Sequence, residues 1–185
     1  TSRGAPLEML SAFNSANLEA DRRAFVALMR YLARVDGRRR TVIMVQVENE
    51  IGMLEDAREH GPDAQAAFAG PVPAPILDLL IRDESSAAEP LRAAWAASGR
   101  RQSGAWGEVF GDDLRGHEIF MAWSYARYVE EIAAAGKAVH DIPLFVNAAL
   151  PRPGRKPGDY PSAGPLPHLR DLWRLGAPSI DFIAP

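Results

Sequence analysis

Three short apolar runs, each separated from the next by helix-forming sequence, constrain this chain more than any other feature. They are "TVIMVQVE" (41–48), "IPLFVNAAL" (Ile142–Leu150) and "SIDFIAP" (Ser179–Pro185). Each reads as a strand, and their apolar residues barely alternate with polar ones. That is the pattern of strands covered on both faces. Strands separated by helices predict a parallel sheet with right-handed crossovers.

The intervening sequence supplies the helices. Asn17 has the character of a helix N-cap, with Glu19 and Asp21 placed to suit the positive end of the helix. Phe25, Leu28, Met29 and Leu32 follow at helical spacing, and Gly37 with Arg38, Arg39 and Arg40 stops the pattern. Residues 49–73 read as a long polar connection. Short helices are expected over 74–82 and 87–98, and residues 99–115 are a glycine-rich loop. A longer helix over 116–136 presents Ile119, Ala122, Trp123, Ala126, Val129 and Ala133 on one face and stops at Gly136. A Pro/Gly-rich loop runs from Pro151 to Pro165, and a helix over 166–175 ends at Gly176.

Composition narrows the chemistry. With 185 residues, 47% hydrophobic, the chain can bury one core. A net charge of -3 and the absence of a basic stripe give no footprint for nucleic acid. There is no cysteine, so disulfides, thiolate metal sites and cysteine nucleophiles are excluded. No apolar run approaches the ~20 residues of a membrane span. His60, His117, His140 and His168 lack ligand spacing. "HEIFM" has methionine, Met121, where a zinc protease motif needs histidine, so neither a metal nor a cofactor is expected.

A doubly wound sheet would place a glycine-rich phosphate turn after its first strand. Here the first strand runs into "ENEIG" instead. The expectation is therefore an α/β chain forming part of a (β/α)8 barrel, residues 1–185 being one incomplete catalytic domain. In that fold functional residues gather at the C-terminal ends of the strands. Glu48, Asn49 and Glu50 stand at such an end, and Asn147 at the next.

Two carboxylates at i and i+2 share a side if the strand stays regular. Close like charges raise one pKa, and burial raises it further. A glutamic acid tuned in this way can protonate a leaving oxygen and then deprotonate water. The Asn49 amide can donate to and accept from a sugar hydroxyl. Together these groups suit glycoside hydrolysis, which for retention uses two carboxyl groups about 5–5.5 Å apart. A polar strand terminus with solvated glutamates is the plain alternative.

"VQVENEIG" resembles the strand-four motif "QxENEYG" of glycoside hydrolase family 35 β-galactosidases. The likeness extends to "GRRRTVIMVQVENEIG" as helix three running into strand four, to "PLFVNAAL" as strand five and to "APSIDFIAP" as strand six. It is nearest to a bacterial β-galactosidase-like branch with additional C-terminal domains. The resemblance implies a (β/α)8 barrel present from about helix three to strand six, and a retaining enzyme acting on terminal β-galactosides or related oligosaccharides. It implies Glu50 as general acid/base and Asn49 as the ligand of the hydroxyl beside the anomeric carbon. Glu48 would tune Glu50. The nucleophile, a glutamate ending strand seven, is expected outside these residues, as are strands one to three. A periplasmic or extracellular setting is also implied. Ile51 departs from the motif, where tyrosine is usual, and changes the pocket wall.

Two further residues are candidates for substrate contact. Asn147 either reaches the sugar or satisfies loop backbone. Trp106, in "SGAWGEVFGDD", either stacks on a sugar or anchors its loop to the core. Trp95, Trp123 and Trp173 read as core. The rival readings of the whole are a non-catalytic carbohydrate-binding barrel and a related glycosidase acting on another β-glycoside.

Overall fold

Asn14, rather than Asn17, begins the first helix. In a computed structural model of the chain, which describes residues 3, 4, 6 and 8–185, α1 spans Ser15–Val35 and the Asn14 side chain accepts from the N–H groups of Ala16 and Asn17. The sequence offers two asparagines one turn apart. The earlier one takes the cap, while the Asn17 amide donates to the carbonyl of Ser11 at 3.1 Å. Glu19 and Asp21 therefore lie beyond the first turn. Phe25 and Met29 are buried, but Leu28 is 45% exposed and belongs to the outer face.

The remaining elements follow in chain order: β1 Val45–Gln46, α2 Pro62–Ala69, α3 Ala74–Arg82, α4 Glu89–Ala97, α5 Trp106–Phe110, α6 Leu114–Lys137, β2 Leu144–Asn147, α7 Arg170–Gly176 and β3 Phe182–Ala184. Short 3-10 turns cover Glu84–Ser86 and Pro167–Leu169. The three strands form one parallel sheet in the order β1-β2-β3, with Val45 opposite Leu144, and Phe145 opposite Phe182. The expected parallel sheet is present. Its strands are shorter than the apolar runs because a ladder extends only as far as its neighbour does. The Val45 N–H bonds Pro143 O at 3.0 Å and the Val47 N–H bonds Phe145 O at 2.9 Å. Before that, Ile43 and Met44 are exposed. The Asp36 carboxylate holds this entry to the end of α1 by accepting from the backbone N–H of Thr41 and of Val42.

The sheet has two unlike faces. Leu144 and Val146 are fully buried against the helices, while Phe145 and Phe182 stack ring on ring at 5.1 Å on the other side. Against Leu144 lie Phe25 and Met29 of α1 and Tyr128, Ile132 and Ala133 of α6. Gly136 does not stop α6, as its sequence position implies, but lies inside it. A Cβ there would fall 2.3 Å from the Phe25 ring, so glycine is what lets α1 and α6 approach. The larger core joins α3, α4, α5 and α7 to α6, around Ile76, Leu80, Trp95, Phe110, Phe120 and Trp173.

Two helices were not expected. α2 carries the signal of a proline at its first position, between Gly61 and Gly70. α5 has only five residues and ends where Gly111 adopts φ +92°. It places Trp106 in the core, 3% exposed, with Phe110 and Phe120 at centroid distances of 6.0 and 5.3 Å. The reading of Trp106 as a glycine-loop platform for sugar is corrected accordingly: the ring anchors its segment. No helix among the described residues is long and apolar enough to cross a membrane.

Candidate active site at the end of the first strand

The chain leaves β1 at Gln46 and turns sharply, so Glu48, Asn49 and Glu50 are not three positions of a regular strand. The turn is held by Gln46, whose side-chain amide donates to the Glu48 carbonyl, to Asn49 Oδ1 and to Asn147 Oδ1, each at 3.0 Å. Two hydrogens serve three acceptors, so at least one is shared. Asn147, at the end of β2, also accepts from the Glu50 N–H at 2.8 Å. Its oxygen is thus committed to protein. Of its two possible roles, the structure realises the bracing of loop backbone.

That brace has a backbone to hold. Glu50 adopts φ +52°, in the left-handed region, which costs an L-residue roughly 1–2 kcal/mol. The hydrogen bond from its N–H to Asn147 fixes this conformation and turns Glu50 out to solvent, where it is exposed.

A cleft of about 270 Å³ opens beside the turn, lined by Asp21, Glu48, Glu50, Ile51, Tyr125 and Tyr128 among others. Both glutamates of the motif therefore reach one cavity, although by a turn and not by strand alternation. Asn49 is exposed and is not part of the lining; its oxygen is held by Gln46. Trp106 is not part of this cleft either.

Met9, Leu10 and Ala12, ahead of α1, supply part of the remaining lining, and Asp21 of α1 with Tyr125 and Tyr128 of α6, which look like core or surface positions in the sequence, supply more. The Tyr128 hydroxyl donates to the Asp21 carboxylate, linking α6 to α1 across the cleft. Tyr125 is buried and its hydroxyl meets Met53 Sδ at 3.8 Å. Burial, and then the nearby Asp21 charge, pushes the Glu48 carboxyl above its usual pKa. The carboxyl so tuned is Glu48, two residues before Glu50.

This shift has a testable consequence. A carboxyl whose pKa is higher folded than unfolded binds more protons when folded, so stability declines as pH rises from the ordinary glutamate value, about 4.3, through the raised one. Glu48→Gln is expected to flatten that part of the stability–pH profile and to leave the protein more stable above it. Thermal melts across the mildly acidic range check this. A profile with the same slope in the variant would assign the slope to other groups.

Among the described residues no group of three or more His, Asp or Glu side chains could hold a metal ion. His117 meets Asp112 at 2.7 Å, and the buried Arg58 guanidinium donates to the Glu59 carbonyl and to Gln65 Oε1 and lies 4.3 Å over the Phe68 ring. No protein-family model matches the chain, and no curated protein does.

Proposed function

We propose that this chain is part of a (β/α)8 catalytic barrel of a retaining β-glycosidase, β-galactosidase-like, with Glu50 as the general acid/base. The observation that carries the reading is the position of the "ENE" turn. It follows the first of three parallel strands, it is braced from the end of the neighbouring strand by Asn147, and it delivers two carboxyl groups to one cleft. Glu50 would protonate the glycosidic oxygen as the bond breaks and then deprotonate the water that releases the glycosyl-enzyme. A second carboxylate, from a strand outside these residues, would form that intermediate. Asn49, exposed beside the cleft with its oxygen held by Gln46, would take the hydroxyl beside the anomeric carbon through its amide N–H, and Glu48 would set the field around Glu50.

The test is to incubate the complete protein with a panel of aryl β-glycosides differing in sugar, and to follow the anomer first released by NMR. Release of the β-anomer, fastest from galactosides, is the expected result. Release of the α-anomer would overturn the retaining mechanism. No turnover of any glycoside would favour the carbohydrate-binding alternative.

A further inference from the structure

The segment after Glu50 is not a free loop. Met53 and Ser162 exchange both backbone hydrogen bonds, at 2.7 and 2.8 Å, as an isolated antiparallel bridge. Contact is so close that a Cβ on Gly52 would lie 2.4 Å from the Pro161 carbonyl carbon, and one on Gly164 would lie 2.4 Å from the Ile51 carbonyl oxygen. The loop that follows β2 is therefore clamped onto residues 51–53, directly beyond the candidate acid/base.

What fixes the clamp lies beneath it. Glu118 of α6 is 4% exposed, and a buried carboxyl group is tolerated only when it is fully hydrogen-bonded. It accepts from the Tyr160 hydroxyl at 2.8 Å and from the Ala163 N–H at 3.2 Å, and its other oxygen meets the His168 ring at 3.0 Å. Ala163 itself adopts φ +66°, a strained conformation for a residue with a Cβ, and its carbonyl accepts from Trp173 Nε1 at 3.1 Å. Nothing in the sequence of α6 distinguishes Glu118 as more than a helix residue. Its partners lie 42, 45 and 50 residues further along the chain.

We propose that Glu118 is a positioning residue for the active site. Through residues 160–163 and the Met53–Ser162 bridge it holds the turn that carries Glu50 at a fixed depth in the cleft. The role rests on the acid/base reading of Glu50, because what it positions is that carboxyl group. The contribution is geometric. A reacting group displaced by about 1 Å can lose on the order of 100-fold in rate, and a loosened clamp displaces it only part of the time.

The experiment uses the complete enzyme and aryl β-glycosides of graded leaving-group acidity. Glu118→Ala is expected to lower kcat/KM for the poorest leaving groups on the order of 10-fold, with little change for the most activated. Amide exchange at Met53 and Ser162 should accelerate in the same variant. Glu118→Gln keeps an acceptor oxygen for Tyr160 and Ala163 and should restore most of both. Gly52→Ala, which forces the two loops apart at Pro161 while keeping the Glu118 side chain, should reproduce the alanine result if Glu118→Ala does not fold. Accelerated exchange with an unchanged leaving-group dependence, or an equal loss on every substrate, would overturn the proposal. Glu50→Gln on the same substrates separates the two failures. A flat response there removes the acid/base reading and the positioning role with it. A steep response beside a flat one for the clamp variants removes the positioning role alone.

Discussion

On the proposed function, Glu50→Gln in the complete protein is expected to slow hydrolysis of glycosides with poor leaving groups by about 10²–10⁴-fold in kcat/KM, the range general acid catalysis contributes. For activated aryl glycosides, whose leaving group departs without a proton, the same constant should fall less than about tenfold. The reason for using kcat/KM is that it reports the first irreversible step, in which only the acid role is needed. Turnover at saturation also contains the second step, in which the same residue acts as base, so a small external nucleophile such as azide should accelerate the variant and yield the β-glycosyl azide. Glutamine keeps the size and the hydrogen-bonding shape of glutamate, and Asn147 holds position 50 through its backbone N–H, so the fold is not disturbed. Equal loss on both substrate classes would count against Glu50 as the acid.

The second large effect concerns the core that carries the clamp. Trp173→Ala is expected to cost about 3–5 kcal/mol, the range for removing a fully buried aromatic side chain. Trp173 is 1% exposed, belongs to the cluster that binds α7 to α6, and donates its indole N–H to the Ala163 carbonyl. The variant therefore loses packing and strands a buried acceptor. Trp173→Phe keeps much of the ring and should lose markedly less. Chemical denaturation of the complete protein measures both. A cost below about 1 kcal/mol for the alanine variant would mean that α7 is not docked on α6 as described.

How far the sequence foretells this arrangement depends on the range of the forces involved. The parallel sheet and the helices α1, α3, α4, α6 and α7 are legible, since strand runs and 3.6-residue spacing are local signals. Strand lengths are not, because Ile43 and Met44 are as apolar as Val45 yet have no ladder partner among the described residues. The "ENE" turn is legible as a candidate site, and both its glutamates reach one cleft. Its supports are less so. Gln46 reads as one more residue of the strand, and Asn147 gives no sign that its target is the Glu50 backbone. Asp21 and Tyr128 sit on different helices and meet only after folding. Trp106 is ambiguous because the glycines around it read as a loop, in which the ring could stack on a sugar or anchor to the core, whereas the segment is a five-residue helix that buries the ring.

Glu50 spends its folded life in a backbone conformation that glycine adopts freely and glutamate does not. Position 50 is therefore a place where stability and chemistry pull in opposite directions. Glu50→Gly relieves roughly 1–2 kcal/mol of backbone strain and gives back about 0.5–1 kcal/mol through the freer unfolded chain. A modest net gain in stability, readable as a raised melting temperature, should accompany complete loss of the carboxyl. Stability-guided redesign of this protein would count that substitution among its candidates, beside Arg40, Glu55, Arg100 and Ala163, and would erase the proposed activity by choosing it.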